Sequence, residues 1–220
     1  MIKHLHRELD KIKKRILSLG ALVEERVHLT AEAIHSRDAG IAQKIIESDW
    51  EIDEMEVEVE EECLKVLALY QPVAVDLRFL IATIKINNDL ERIGDEAVNI
   101  SERVLTMSKR PDPGFVFDYT PMVEKCQSML KKSLDALVNL DEDLAFKVIT
   151  LDDSVDAIQK EAYDHIKVAI KEKPDRVGYL VNLLLVSRHL ERLADHCTNI
   201  AEEVIYLVEG EIIRHGKYES

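Results

Sequence analysis

The chain has 220 residues, of which 46% are hydrophobic and only 5% aromatic, and its formal net charge at pH 7 is −14. This length is enough to bury the core of one domain or two small ones, and the weight of Leu, Ile, Val and Ala favours packed helices over a β-sandwich. The negative charge argues against nucleic acid and anionic membranes as direct ligands, and it favours basic partners or metal cations.

The three cysteines are far apart and form no C-x-x-C motif. That pattern argues against a zinc knuckle or a disulfide framework and predicts reduced thiols in a cytosolic protein. The N-terminus lacks the apolar core of a signal peptide, and the most apolar stretch, which begins at Tyr179, is too short to span a bilayer. We therefore expect a soluble, cytoplasmic protein.

The first half of the chain has the pattern of three helices. Apolar residues spaced three and four apart over residues 5–34 predict a long first helix. Ser36, Asp38 and Gly40 mark a break, and a second helix then runs over residues 41–70 and ends before Pro72. Asp76 is the predicted N-cap of the third helix.

The second half repeats this organisation. Residues 109–118 contain two prolines and a glycine and form the predicted linker. Thr120, followed by a proline, is the predicted cap of a fourth helix, and Asp141 is the predicted cap of a fifth. A break at residues 173–175 precedes a sixth helix over about residues 176–207. No segment needs a β-strand, so the sequence predicts an all-α chain.

An internal duplication relates the two halves. The stretch ERIGDEAVNISERV from Glu91 returns as ERLADHCTNIAEEV from Glu191, at an offset of 191 − 91 = 100 residues. The stretch AQKIIESDWEID from Ala42 aligns with AFKVITLDDSVD from Ala145, at an offset of 145 − 42 = 103 residues. So many matches at fixed positions indicate that each half is a copy of the same three-helix unit.

The duplication predicts two tandem antiparallel three-helix bundles. The first covers residues 1–108, the linker residues 109–118, and the second residues 119–220. Gly94 lies inside a predicted helix, where glycine costs about 1 kcal/mol relative to alanine. Its counterpart is Ala194. We therefore expect this position to need a small residue, because two helices approach each other closely there.

Acidic residues four apart occur on the second and third helices of each half. Residues at this spacing lie on one helix face, where like charges repel by roughly 0.2–0.5 kcal/mol per pair. Adjacent antiparallel helices bring two such pairs together, so each half is expected to carry a patch of four carboxylates. Hard oxygen donors favour Mg, Ca, Mn or ferric iron. The predicted ligands are Asp49, Asp53, Glu91 and Asp95 in the first half and Asp152, Asp156, Glu191 and Asp195 in the second.

These patches are expected to face solvent. Several ions bridged by water or hydroxide therefore suit them better than one ion in a cage. Asn99 and Asn199, one turn further along, are candidate additional ligands or groups that orient the ligands. For any single acidic pair a solvated face is the alternative. Repetition of both pairs in both halves favours the metal interpretation, since nearby acids such as Glu51 and Glu54 have no match in the second half.

Histidines are weaker candidates. His189 and His196 flank the second motif where the first copy has Asp89 and Glu96. We interpret both as partly exposed helix residues, with a ligand role at one site as the alternative. Two Glu-x-x-His elements resemble part of a di-iron site, but both occur on the first helix and neither recurs, so we interpret them as surface residues. Arg92 and its counterpart are expected to neutralise their acidic neighbours.

Together, the repeated E-R-x-x-D-x-x-x-N-I stripe, the paired D-x-x-x-D stripes and the segment PVAVDLRFLIATIKINNDLERIGDEAVNI, from Pro72, resemble the PhoU family of phosphate-uptake regulators. The resemblance covers essentially the whole chain. It implies a cytoplasmic, non-enzymatic adaptor between a Pst-type phosphate ABC transporter ATPase and a membrane sensor histidine kinase. Such a protein represses the starvation response when phosphate is plentiful, forms homodimers, and reaches the membrane only through its partners.

The resemblance also implies a multinuclear metal centre, iron first and otherwise Mn, Mg, Ca or Zn, at the eight carboxylates named above. The second half departs from the first at the helix turn, so a role of Asp76 or Arg78 is not expected to be duplicated. The alternative function is a carboxylate-bridged metalloenzyme that hydrolyses a phosphoester or oxidises iron. It requires a concave pocket that excludes water, which an exposed stripe of carboxylates does not offer.

Overall fold

The computed structural model describes residues 2–110, 114 and 117–211. Their regular elements are α-helices and one short 3-10 turn, with no strand among them, which confirms the all-α prediction. Two prolines of the predicted linker, Pro111 and Pro113, lie outside the described residues. The helices are α1 (Ile2–Ser36), α2 (Ala39–Glu47), α3 (Trp50–Tyr70), α4 (Ala74–Ser108), α5 (Thr120–Asn139), α6 (Glu142–Glu172) and α7 (Val177–Glu209), with the 3-10 turn Pro174–Arg176 before α7.

The prediction of one continuous second helix is wrong, because the chain breaks at Ser48 and Asp49 into α2 and α3. Arg26, only 4% exposed, explains the break. Its guanidinium donates to the Ile45 carbonyl at 2.9 Å and to the Ser48 carbonyl at 3.1 Å, and so supplements the backbone donors that these carbonyls keep, the N–H groups of Ser48 and Glu51. The second half has Leu151 in place of Ser48, and α6 continues through this point.

The helix starts show the duplication in detail. Asp141 accepts from the backbone N–H of Leu144 at 2.9 Å, which confirms it as the cap of α6. Asp38 lies 141 − 38 = 103 residues earlier and caps α2 in the same way. The residues before these caps, Arg37 and Leu140, both have left-handed backbones, with φ of 54° and 51°. Both copies therefore use the same turn.

Two predicted caps are wrong. The N-cap of α4 is Val73, and Asp76 lies in the first turn, where its charge meets the positive end of the helix dipole. The N-cap of α5 is Tyr119, and Thr120 is the first helical residue. Tyr119 is buried, and its hydroxyl donates to a carbonyl of α7 at 2.6 Å. This contact anchors the start of the helix one residue before the predicted cap.

The two bundles pack side by side, with α4 against α7 as the most extensive helix contact and α1 against α5 beside it. Helices α4 and α7 are antiparallel, because the ion pairs that join them, Lys85 with Glu203 and Glu96 with His189, run in opposite sequence directions. The shared core thus lies between the two copies. Each copy carries its acidic stripes on one helix pair, α3/α4 or α6/α7.

The expected close approach at Gly94 is confirmed. A Cβ atom at this position would lie 2.9 Å from Cδ1 of Ile52, which is too close without movement of the Ile52 side chain. In the second copy the equivalent residues are Ala194 and Val155, both fully buried. The first copy therefore packs glycine against the larger isoleucine, and the second copy packs the larger alanine against the smaller valine.

All three cysteines lie inside the helical core. Cys63, Cys126 and Cys197 are buried, unbridged thiols. Burial raises the pKa of Cys63 and of Cys126 to about 12, so both remain protonated near neutral pH. Among the helices within the described residues, none is both long enough and apolar enough to cross a membrane.

Candidate metal sites

The first carboxylate patch lies where α3 starts beside the middle of α4. Asp49 occupies the break before α3, Asp53 follows one turn later, and Glu91 and Asp95 face them from α4. Burial, with the charges of Asp53 and Asp95, raises the pKa of Asp49 above its usual range. Burial and the charge of Asp95 do the same to the pKa of Glu91. The two helices thus bring all four carboxylates within electrostatic reach of one another.

The second patch repeats this arrangement on α6 and α7. Burial, followed by the charges of Asp195 and Asp156, raises the pKa of Asp152 to about 6. The pKa values of Glu191 and Asp195 also lie above their usual range, first because of burial and then because of neighbouring carboxylates. Helices α6 and α7 therefore bring the second predicted set together as α3 and α4 bring the first.

The arginines differ between the patches. Arg92 lies 3.5 Å from Glu91 and 3.4 Å from Asp95 on its own helix, so it neutralises its neighbours as expected. Its counterpart Arg192 instead places Nη1 3.1 Å from Oε1 of Glu96, across the contact between the two copies. That contact was not predicted, since Glu96 is 96 residues away in sequence (192 − 96 = 96).

One oxygen of the first patch has no hydrogen bond. Oε2 of Glu91 is buried from solvent, and although it lies 3.5 Å from Nε of Arg92, their geometry makes no hydrogen bond. A buried carboxylate oxygen in this state is stabilised by a cation. The oxygen-only donor set and the raised pKa values fit the same kind of ligand, because a bound cation favours the ionised form of each carboxylate.

The patches do not form a single-ion cage. In the parts of the chain that the structure describes, no three His, Cys, Asp or Glu side chains converge closely enough to hold one metal ion. Two helices with acids four residues apart instead present a row of oxygens about 6 Å apart along each helix. The binding of several bridged ions by each patch stays a prediction.

The predicted Asn residues lie beside the patches and face other groups. Asn199 donates from Nδ2 to Oδ1 of Asp89 at 3.1 Å. Asn99 donates from Nδ2 to Oε2 of Glu96 at 3.5 Å. Both acceptors lie within two residues of a predicted ligand on α4. The amides therefore orient the helix contact next to the carboxylates, and a direct ligand role for either of them stays a prediction.

The two flanking histidines form acid–histidine pairs that sequence reasoning missed. Nδ1 of His189 lies 2.7 Å from Oε2 of Glu96, and Nδ1 of His196 lies 2.9 Å from Oδ1 of Asp89. Positions 89 and 189, like 96 and 196, are equivalent in the duplication. Each pair therefore joins non-equivalent positions of the two copies, 96 with 189 and 89 with 196. Both acids belong to the first copy and both histidines to the second. This replacement of acids by histidines at equivalent positions was the sequence feature that could have predicted the pairs.

The Glu-x-x-His elements of α1 are exposed, as predicted. A cavity of about 860 Å³ lies near His28 and His35, between the ends of α1, α4, α5 and α7. Its lining is mostly apolar and contains none of the eight predicted ligands. The carboxylate patches and this cavity are therefore separate features of the surface.

Comparison with known proteins gives a consistent result over both halves. A family profile described as the PhoU domain matches residues 16–104 and, a second time, residues 120–204. The two matches fall on the two copies identified in the sequence. They confirm that the fold consists of two tandem repeats of one helical unit.

Individual relatives match nearly the full chain. A "Phosphate-specific transport system accessory protein PhoU homolog" of Pseudomonas aeruginosa is 37% identical over 209 residues, covering 94% of this chain and 86% of the relative. A protein of the same name from Aquifex aeolicus is 37% identical over 211 residues and covers 96% of both chains. The crystal structure of PhoU from Pseudomonas aeruginosa superposes with a TM-score of 0.89 at 36% identity, covering 94% of this chain and 99% of the other.

A second solved structure is more distant in sequence. The phosphate transport system regulatory protein PhoU from Streptococcus pneumoniae superposes with a TM-score of 0.86 at 28% identity. The match covers 94% of this chain and 98% of the other. The helical architecture of this chain is thus shared over almost its whole length.

Proposed function

The chain belongs to the PhoU family, a family of accessory proteins rather than enzymes, and on that premise we propose that it regulates phosphate uptake and phosphate-starvation signalling. It acts as a cytoplasmic adaptor that binds a sensor histidine kinase and the ATPase of a Pst-type phosphate ABC transporter. When phosphate is plentiful, it represses the starvation response. The observation that carries this proposal is the full-length match to proteins named for phosphate-specific transport.

The metal centre is the second part of the proposal. Each patch binds a multinuclear cluster, with iron as the first candidate and Mn, Mg, Ca or Zn as the others. The ligands are the four carboxylates of each patch, which are held by α3/α4 in one copy and by α6/α7 in the other. Bound cations offset the repulsion that raises the pKa values of these carboxylates. They also leave a metal-decorated helical surface that a partner can recognise.

The alternative of a metalloenzyme is not favoured. Hydrolysis or oxidation at a metal needs an enclosed site that excludes water and orients the substrate. Asp53 and Asp156 are exposed on the helix surface. The relatives are named accessory proteins, which agrees with a surface that binds rather than a pocket that reacts.

The adaptor is tested by crosslinking in phosphate-replete cells and purification of the protein with its partners. We expect the sensor kinase, the transporter ATPase or both to be recovered. Phosphate-starved cells provide the matched comparison, in which we expect recovery of the kinase to change. Recovery of neither partner under either condition contradicts the adaptor. We also propose that the chain forms a homodimer, and sedimentation of the purified protein tests this independently.

A further inference from the structure

Helix α3 carries an apolar stripe on its outer face. Trp50, Val57 and Leu64 follow one another at intervals of seven residues (57 − 50 = 7 and 64 − 57 = 7). Their exposed fractions are 59%, 51% and 52%. The opposite face of α3 packs on α1 and α4 and contains its buried residues. Residues seven apart lie on one side of a helix, so these side chains form a single line along almost the whole of α3.

Acidic residues occupy the spaces in this line. Glu54 and Glu61 lie between the apolar residues, at intervals of four and three, and both are exposed. Within the described parts of the chain, neither of them forms an ion pair, whereas Glu58 on the flank pairs with Arg15 of α1. The outer face of α3 therefore combines three apolar side chains with unneutralised negative charge. We call this face, defined by Trp50, Glu54, Val57, Glu61 and Leu64, the α3 stripe.

The duplicated copy shows that the fold does not require an apolar stripe. At the same offset of 103 residues, the buried positions of α3 remain apolar in α6, as in Ile52 and Val155 or Val59 and Ala162. The exposed positions of the stripe do not. Trp50, Val57 and Leu64 correspond to Asp153, Lys160 and Lys167. Because α6 packs in the same way with charged residues at these positions, the apolar residues of α3 serve something other than packing within the chain.

The charge of the stripe decides what fits on it. A second copy of the same stripe would bring Glu54 and Glu61 against identical acids, on chains whose net charge is −14 each. An anionic membrane is disfavoured for the same reason. A basic amphipathic helix matches both features, because its apolar residues meet the line and its Lys or Arg side chains meet the acids.

We propose that the α3 stripe docks a basic amphipathic helix of a partner protein. From Trp50 to Leu64 the stripe extends about 21 Å, so a partner helix of roughly four turns covers it. Trp50 follows Asp49 and Glu54 follows Asp53, so the docked helix lies at the edge of the first carboxylate patch. The proposal rests on the proposed adaptor function, since it assigns the face through which one partner binds. It places that face on the first copy alone.

Trp50 makes the proposal directly measurable, because it is the only tryptophan of the chain. The probe is a synthetic helix of about 18 residues with Leu on one face and Lys elsewhere. We expect saturable binding, together with a shift of Trp50 emission to shorter wavelength as water is excluded. A scrambled peptide of the same composition lacks the apolar face, and we expect it to bind about tenfold more weakly or worse.

The decisive variant combines Val57→Lys with Leu64→Lys, which gives α3 the residues of the second copy and keeps Trp50 as the reporter. We expect the affinity for the probe to fall by about tenfold or more. The matched control combines Tyr163→Lys with Val168→Lys on α6, which changes two exposed apolar residues and the net charge by the same amount. We expect its affinity to stay within about twofold of the native protein. Circular dichroism checks that both variants keep their helices.

Three results overturn the proposal. These are no saturable binding up to about 1 mM probe, binding without a change in Trp50 emission, and an equal loss of affinity in both variants. The last result would mean that net charge alone attracts the probe. Each of these failures is distinguishable from failure of the adaptor, which is judged by recovery of the kinase or the ATPase from cells.

Discussion

The two carboxylate patches have equivalent acids but different counter-charges. In the first patch, Arg92 contacts Glu91 and Asp95, and Arg26 opposes the rise in the pKa of Asp49 that burial causes. In the second patch, Arg192 pairs with Glu96 of the other copy, although its charge still lowers the pKa values of Glu191 and Asp195. The pKa of Asp152 is raised furthest, to about 6, by burial and by the four acids around it.

This difference shows that both copies retain the acids, whereas the positively charged residues around them differ. Both copies retain these acids although nearby acids such as Glu51 and Glu54 have no match in the second half, which is the pattern that a shared ligand role predicts. The proposed metal cluster would give the acids that role, because it would supply positive charge in both copies. Arg26 lowers the pKa of Asp49, whereas the groups that shift the pKa of its counterpart Asp152 are all acids, so a bound cation is expected to stabilise the ionised form of Asp152 more.

The largest effect is expected at Arg26, which has no equivalent role in the second copy. Arg26→Met removes its hydrogen bonds to the carbonyls of Ile45 and Ser48 and its ion pair with Glu51, while each carbonyl keeps a backbone donor. We expect a loss of about 2–4 kcal/mol in the free energy of unfolding, measured with urea. Arg15→Met, which breaks an exposed ion pair with Glu58, is the control and should cost less than about 1 kcal/mol. Equal losses would contradict the account of the break.

A smaller effect is expected at the contact between Gly94 and Ile52. Gly94→Ala introduces a Cβ 2.9 Å from Ile52, and overpacking costs about 1–3 kcal/mol, offset by about 1 kcal/mol of helix propensity. Addition of Ile52→Val recreates the pair found at Ala194 and Val155 and should recover the lost free energy of unfolding. A double-mutant cycle measures this coupling. Strictly additive effects would show that the two positions are independent.

The pKa of Asp152 gives a pH-dependent effect. In the folded state this pKa is about 6 against a reference of 3.8, so the folded chain binds more protons between these values. Stability of the metal-free protein should therefore fall as pH rises through this window. Asp152→Asn removes the repulsion and should stabilise the chelator-treated protein at pH 7 by about 1 kcal/mol, after allowance for solvent screening.

Asp49→Asn is the matched control for this effect. Because Arg26 lowers the pKa of Asp49, we expect a smaller gain in the melting temperature of the metal-free protein. The gain in stability from Asp152→Asn should also shrink towards pH 4, where the folded native protein and the variant both have a neutral side chain at position 152. A gain at Asp49 equal to or larger than that at Asp152 would reverse the comparison between the patches.

The smallest effect is expected at the contact between the copies. Asp89→His or His196→Asp alone replaces an acid–histidine pair by two like groups, at a cost of about 0.5–1 kcal/mol for these partly exposed side chains. The combined swap restores a complementary pair and should recover most of the stability. If the double variant is as unstable as the sum of the single variants, the pair does not stabilise the contact.

Much of the fold was predictable because it depends on local patterns. Helix periodicity, prolines and the cap at Asp141 are read within a few residues, and the duplication located the acidic pairs on neighbouring helices. The need for a small residue at Gly94 was visible because both copies have one. The carboxylates were likewise found by repetition, which separates them from the many other acids of the chain.

The rest depends on contacts between distant residues. The break at Ser48 is stabilised by Arg26, which lies 22 residues earlier and shows no local signal of this role. The acid–histidine pairs needed the antiparallel contact of α4 and α7, which the sequence does not specify. The predicted caps at Asp76 and Thr120 were wrong because packing, at Tyr119 for example, decided where these helices begin.

The central claim is that both patches bind metal, and metal content tests it most directly. The native protein and an eight-alanine variant of the predicted ligands are purified without chelator or affinity tag and compared by elemental analysis. We predict several metal ions per native chain, only background in the variant, and an intermediate content when one patch alone is replaced. Equal metal content in the native protein and the eight-alanine variant would contradict the account.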